Sequence, residues 1–278
     1  MNYIALEIAC GEELAEVLTA FLADWPFESF QTADGVLKAY IPAAQLDACR
    51  TEVDSLLAEY GVAGRYALIE TRNWNAPWES GFPPVEIDGR VRIRAPFHDP
   101  APDGVLDIVL TPDMSFGTGH HPTTWLMTRA LLELPLEGRC GLDAGSGTGV
   151  LAIVAAKRGA ARVDAVDIDD RSCESCRRNA AANGVEERIE TLLGDVDRVA
   201  GRRYDFIVAN IHRNVLTARM PAYAAMLLPG GDLLLSGFYS DDVPAMVAAA
   251  EQAGLQLADT AEKEGWARVH VTKGADGL

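Results

Sequence analysis

From Val105 to the C-terminus, short apolar runs alternate with amphipathic segments, and this alternation constrains the fold more than any other feature. VLDIVL, CGLDAG, VDAVDID, IETLL, YDFIVAN and DLLLSGF read as strands. They are separated by helical stretches such as PTTWLMTRALLEL, VLAIVAAKRG, DRSCESCRRNAAANG and PAMVAAAEQAG. Strands that alternate with helices pair in parallel through right-handed crossovers, which predicts a doubly wound α/β sheet over 105–278. In such a sheet a ligand sits beyond the carboxyl ends of the strands, so the residues just after each strand carry the functional information.

The first 72 residues follow another pattern. YIALEIA alternates, GEELAEVLTAFLAD has helical spacing, and FESFQTADGVLKAYIP reads as two strands about a turn at Asp34-Gly35. AAQLDACRTEVDSLLAEYG is a second amphipathic helix ending at Gly61, and RYALIETR closes the set. This order predicts a small α+β domain of the split βαβ, or ferredoxin-like, kind over 1–72. It carries no paired carboxylates, metal cluster or nucleophile, so it is read as a recognition module. Residues 73–104 are rich in Pro and Gly, contain Trp74, Trp78, Phe82 and Phe97, and have a hairpin signal at Asp88-Gly89. They are expected to form a linker whose aromatic side chains pack against a neighbouring domain.

Charge narrows the class of partner. With 41 acidic and 24 basic residues the net charge is −17, which lacks the footprint for gripping bare duplex or an anionic membrane and suits a cationic protein or peptide. An acidic surface is equally a route to solubility. No apolar run approaches the roughly 20 residues that cross a bilayer, and the N-terminus has neither a basic region nor an export cleavage pattern. A cytoplasmic location and, by default, a monomer are expected. Cys10, Cys49, Cys140, Cys173 and Cys176 are odd in number and irregular in spacing, so they are not a disulfide framework. The lone CxxC of Cys173 and Cys176 is read as helix packing, and no metal is expected.

The chemistry concentrates in LDAGSGTGVLAI. Read from Gly147, it satisfies the loose dinucleotide fingerprint GxGxxA; read from Asp143, it gives D-A-G-S-G-T-G, the pattern of an S-adenosylmethionine loop. A carboxylate at the preceding strand end repels a pyrophosphate but suits a ligand carrying a sulfonium and an ammonium. Gly145, Gly147 and Gly149 allow the backbone to approach such a ligand without Cβ clashes. Asp167 ends the next strand, where an acidic side chain accepts hydrogen bonds from ribose hydroxyls of either cofactor class. Asp195, after the following strand, is placed to reach an adenine edge or else is simply solvated. Asn210 ends the fourth strand, where an uncharged amide accepts from a substrate amine and orients its lone pair; the plain alternative is a turn former or helix cap.

MSFGTGHHPTTWLMTRAL, DAGSGTGVLAI, VDAVDIDDRSCESCRRNAAANGV and YDFIVANI occur in an order and spacing that resemble the ribosomal protein L11 methyltransferases, the PrmA-type enzymes, over nearly the whole chain. The resemblance implies a class I S-adenosylmethionine-dependent methyltransferase fold behind an N-terminal domain that binds the substrate. It implies N-methylation of lysine ε-amino and N-terminal α-amino groups of the basic ribosomal protein L11, with S-adenosylmethionine as cofactor. Carried over by position, the implied cofactor contacts are Thr124 of HPTT, Gly145, Asp167 and Asn210, to which the loop chemistry adds Asp143, Gly147 and Gly149 and the strand-end position adds Asp195. Three departures bear on the substrate mouth: GSGTG stands for the family's more usual GxGSG, His120-His121 for Thr-His, and Ile211-His212-Arg213 follows Asn210 where Ile-Leu is commoner.

A lysine amine, with an unperturbed pKa of about 10.4, must lose a proton before it attacks. His120, His121 and His212 all fall near the expected mouth, and His121 is the catalytic candidate among them, although no single side chain is expected to be an essential base. Other acceptors stay open, because glutamine and N6-adenine methyltransferases also end the fourth strand with Asn. They typically read Asn-Pro-Pro-Tyr there, against Asn-Ile-His-Arg here. A non-catalytic protein-binding module is the remaining alternative.

Overall fold

The computed structural model describes residues 3–33, 35–69, 83–111 and 119–275 and divides into two compact units, 1–82 and 83–278. In the first unit the chain runs β1 (Tyr3–Ala9), α1 (Glu12–Leu22), β2 (Ser29–Ala33), β3 (Val36–Pro42), α2 (Ala43–Glu59) and β4 (Gly64–Ile69). The sheet order is β2-β3-β1-β4 with every neighbouring pair antiparallel, the split βαβ arrangement. Alternation puts Leu6 and Ile8 of β1 and Leu37, Ala39 and Ile41 of β3 on one face, where they cluster with Leu18 and Leu22 of α1 and Val53 and Leu57 of α2. Gly35 of the expected turn has φ +74°; its partner Asp34, like Trp74, Trp78 and Phe82, lies outside the described residues.

The second unit opens with β5 (Val85–Ile87), β6 (Val91–Arg94) and β7 (Leu106–Val109), a small sheet in that order. Asp88 and Gly89 both adopt positive φ, 49° and 65°, the backbone of a type I′ hairpin between β5 and β6. Residues 83–104 of the expected linker thus contribute two strands to this unit, and Phe97 stands exposed with its ring edge against His98.

The main sheet is built from β8 (Cys140–Ala144), β9 (Arg162–Asp167), β10 (Ile189–Leu193), β11 (Tyr204–Asn210), β12 (Leu227–Tyr239), β13 (Leu255–Lys263) and β14 (Trp266–Lys273). Its helices are α3 (Pro122–Glu133), α4 (Val150–Lys157), α5 (Asp170–Ala182), α6 (Arg213–Met226) and α7 (Val243–Gln252). The order is β10-β9-β8-β11-β12-β14-β13. The first five strands are parallel, and β14 runs against both of its neighbours. Strand order reverses between β8 and β11, which sets a crevice at their carboxyl ends. Two clusters of buried side chains flank the sheet, one around Leu151, Ile153 and Val154 of α4, the other around Leu216, Met220 and Tyr223 of α6. No helix among the described residues is long and apolar enough to cross a membrane.

One strand belongs elsewhere than its sequence suggests. VLDIVL reads as the first strand of the doubly wound sheet, yet β7 pairs in parallel with β6 instead. Its backbone is satisfied by side chains of α5 and of the Asn183 that caps it: the Val109 and Thr111 amides donate to Asn183 Oδ1 (2.9 Å) and Asn179 Oδ1 (3.0 Å), and Asn183 Nδ2 donates to the Val109 carbonyl (2.6 Å). Amide side chains stand in for a partner strand there. Cys173 and Cys176 of α5 are buried, and burial pushes both thiols up, Cys176 to about 12.

Candidate active site

A cavity of about 630 Å³ opens at the carboxyl ends of β8 to β11. Its floor is the turn between β8 and α4, where Gly145, Gly147 and Gly149 take φ of 77°, 52° and 80°. Left-handed backbone at three alternate positions demands glycine, and at Gly145 an added Cβ would stand 2.3 Å from Ile211 Cγ2. The turn is bonded to β9 and to itself. The Gly145 and Ser146 amides donate to the Val166 carbonyl (2.8 and 3.1 Å), the Gly149 amide to the Ser146 carbonyl (2.8 Å), and the Gly147 amide to Asp167 Oδ2 (2.8 Å).

These bonds separate the two cofactor readings. A pyrophosphate requires backbone amides aimed at it, and here the amides of residues 145, 146, 147 and 149 are already taken, one of them by a carboxylate. Its lining instead includes residues with buried polar atoms that lack hydrogen-bond partners in the protein. Thr124 Oγ1, Ser146 Oγ, Asn210 Oδ1 and Tyr223 Oη are four such atoms, and all four residues line the wall. Buried polar groups lacking partners mark a place where a polar ligand belongs. S-adenosylmethionine, with its amino-acid, ribose and adenine groups, fits that donor and acceptor set.

Each expected residue has a definite position. Thr124 lies in the first turn of α3, which Pro122 starts and His121 caps: His121 Nδ1 accepts from the Thr123 amide (3.3 Å) and lies 2.7 Å from Thr123 Oγ1. Asp167 stands at the end of β9, its Oδ1 accepting from the Asp169 amide (3.0 Å). Asp195 accepts from the Val196 amide (2.6 Å) and pairs with Arg219 of α6. Asn210 ends β11. His121, Thr124, Gly145, Gly147, Asp167, Asp195, Asn210 and His212 all line the cavity. Asp143, Gly149 and His120 do not.

Asp143 lies beneath the loop, 1% exposed, with Oδ2 accepting from the Ala152 amide of α4 (3.1 Å). Burial pushes its carboxyl up to about 7, with the nearby Asp167 charge adding to the rise. Gly149 also sits behind the wall, where a Cβ would come 2.5 Å from Cys176 Sγ. His120 is exposed, with Nε2 2.8 Å from the Pro83 carbonyl. The FGT of FGTGHHPTT is outside the described residues.

Several wall residues carry no local signal in the sequence. Trp266 opens β14, packs its ring 4.3 Å from Tyr239 and meets His121 edge-on at 4.5 Å, forming an aromatic rim. Burial lowers the pKa of His121 at this rim. Gly237 of β12 has φ 99°, and a Cβ there would lie 2.3 Å from the Ile211 carbonyl oxygen. The Ile211 amide donates to the Ser236 carbonyl (3.1 Å), so β12 fixes the backbone just beyond Asn210.

Residues 3–274 match the family described as ribosomal protein L11 methyltransferase (PrmA). The chain belongs to this family. It is 41% identical over 268 residues to the ribosomal protein L11 methyltransferase of Porphyromonas gingivalis, covering 94% of this chain and 91% of the relative. It is 38% identical over 267 residues to that of Phocaeicola vulgatus, covering 94% of each. The crystal structure of a ribosomal protein L11 methylase from Lactobacillus delbrueckii subsp. bulgaricus superposes with a TM-score of 0.64 at 26% identity, covering 69% of this chain and 98% of that one. As a PrmA family member the protein is a methyltransferase that uses S-adenosylmethionine, and its sheet order is that of the class I fold.

Proposed function

We propose that the protein transfers methyl groups from S-adenosylmethionine to lysine ε-amino and N-terminal α-amino groups of ribosomal protein L11. The observation that carries this reading is the unpartnered Asn210 Oδ1 at the tip of β11, in the same wall as Thr124, Ser146 and Asp167. The family match over residues 3–274 supports the choice of substrate. The charge of −17 favours encounter with a basic ribosomal protein. Residues 1–72 serve as the substrate-recognition domain and 105–278 as the catalytic one.

When bound, S-adenosylmethionine supplies a methyl group on a sulfonium, an electrophile with a good leaving group. The protein's task is therefore placement, with amine nitrogen and methyl carbon brought to about 3 to 3.5 Å in line. Asp167 accepts hydrogen bonds from the ribose hydroxyls, and Asp195 faces the adenine. Thr124, Gly145 and Gly147 form the amino-acid end, while Gly149 and Asp143 shape and charge the loop from beneath. Asn210 accepts one hydrogen of the substrate amine and so aims the nitrogen lone pair. Being neutral, it gives no Coulombic support to the unreactive ammonium. Trp266 and His121 of the rim, packed edge-on in the cavity wall, make the mouth less polar and so disfavour the charged amine further. His121 holds this rim through its bond to the Thr123 amide, which occupies Nδ1 as an acceptor.

Incubation with S-adenosylmethionine and purified L11, read by intact-mass and peptide spectra, tests the proposal. Mass gains in steps of about 14 Da, on lysine or the terminal amine and abolished in Asn210→Ala, are expected. Absence of any gain on L11 from a protein that binds the cofactor would overturn the assigned acceptor.

A further inference from the structure

The adenine end of the cavity contains a polar group that neither the loop pattern nor the strand ends announce. Tyr223 lies in the third turn of α6 with its side chain fully buried in the hydrophobic cluster that flanks this side of the sheet. Its hydroxyl has no hydrogen-bond partner in the protein, and the residue lines the cavity. The electrostatic neighbours of the ring oxygen are Asp195 and Arg219, which puts it at the end of the cavity where β10 finishes. There the Asp195 carboxylate is committed on both oxygens, to the Val196 amide and to Arg219. An unpartnered phenol beside a carboxylate already engaged on each oxygen makes Tyr223 a second polar group at this end, one that can donate where Asp195 can only accept.

We infer that the Tyr223 hydroxyl is a binding contact for the nucleoside part of S-adenosylmethionine. The inference rests on the reading of the cavity as the cofactor site. A buried hydroxyl without a partner destabilises the unliganded protein, because its bonds to water have been lost and not replaced. Burial also keeps the phenol protonated, so it remains able to donate as well as accept. A ligand that completes its bonding recovers that cost on binding. The site thus stores free energy in the empty state that is released only when the nucleoside arrives, and the consequence is a substitution that weakens binding without weakening the fold.

Tyr223→Phe removes the oxygen and little else. Calorimetric titration with S-adenosylhomocysteine and with 5′-methylthioadenosine, together with thermal unfolding of the unliganded protein, gives the test. The expected result is about a fivefold to tenfold weaker Kd for both ligands, with the unliganded Tm unchanged or raised. Equal affinity in wild type and variant would overturn the inference, as would a weaker Kd for S-adenosylhomocysteine alone, which moves the contact to the amino-acid end. A lowered Tm would overturn it too, by showing that the hydroxyl serves the fold. Failure of the wild-type protein to bind either ligand would instead sink the cofactor reading itself. Should the variant not fold, ring-labelled tyrosine in the wild-type protein answers the same question by NMR: the Tyr223 resonance must shift with 5′-methylthioadenosine, and its constancy would overturn the contact.

Discussion

Asp167 Oδ2 accepts the Gly147 amide hydrogen at 2.8 Å, tying the end of β9 to the glycine turn after β8. The carboxylate therefore holds the turn in addition to the ribose contact proposed for it. Asp167→Asn keeps the size but replaces one acceptor oxygen with a donor, which then opposes either the Gly147 or the Asp169 amide. Charge-assisted bonds contribute about 1.5 to 3 kcal/mol each, so affinity for S-adenosylhomocysteine is expected to fall roughly tenfold to a hundredfold. Calorimetry checks this, and a change under twofold would remove Asp167 from the binding site.

Gly237 is expected to control turnover by fixing the backbone of Ile211 beyond Asn210. Its φ of 99° and the 2.3 Å approach of a would-be Cβ to the Ile211 carbonyl leave Ala no unstrained position. Gly237→Ala must push the Ile211 backbone away and carry Asn210 with it. Strained backbone costs about 1 to 3 kcal/mol, and a misplacement near 1 Å costs roughly a hundredfold in rate. The variant should therefore lose several degrees of Tm and most of its kcat while binding S-adenosylhomocysteine nearly as well as wild type. A normal kcat would show that β12 does not set the position of Asn210.

The contrast between Asp167 and Gly237 explains how much of the site was legible in the sequence. Asp167, Gly145 and Asn210 follow strands directly, and in a parallel sheet that position alone predicts the wall of the cavity. Gly237, Tyr223 and Trp266 reach the same wall from within β12, from the third turn of α6 and from the start of β14. Their role depends on how those elements pack, which no local pattern encodes. Helix α6 itself is hard to read, because Pro221 interrupts its apolar spacing. Asp143 shows the converse limit. Its motif is plain and its place under the loop follows from β8, yet it accepts a hydrogen bond from the Ala152 amide of α4 and does not reach the cavity wall.

His121 offers a chemical test of the rim. Its Nδ1 accepts from the Thr123 amide as the N-cap of α3, a role Asn fills equally well. His121→Asn should keep the helix and hold kcat within about tenfold of wild type, with an unchanged pH profile. An essential general base contributes roughly 10² to 10⁴ in rate. A loss of that size, together with the disappearance of an acidic limb from the pH dependence of kcat/KM, would make His121 the base.

Cofactor binding is expected to depend on pH near neutrality through Asp143. In the unfolded chain its carboxyl titrates at about 3.9, whereas burial in the fold pushes it up to about 7. Between those values the folded protein retains a proton that the unfolded chain releases, so stability falls as pH rises through this window and levels off above it. Asp143→Asn preserves an acceptor for the Ala152 amide and removes the titration, so the Tm of the wild type should fall relative to the variant between pH 5 and about 7. A cation above the loop favours the ionised carboxylate, so binding the sulfonium releases the proton. S-adenosylmethionine should accordingly bind more tightly at pH 8 than at pH 6, and S-adenosylhomocysteine, which lacks the sulfonium, should show a shallower slope. In Asp143→Asn the difference between the two slopes should vanish. Parallel slopes in the wild type, measured by calorimetry at the two pH values, would mean that the buried carboxylate serves only to hold the N-terminus of α4.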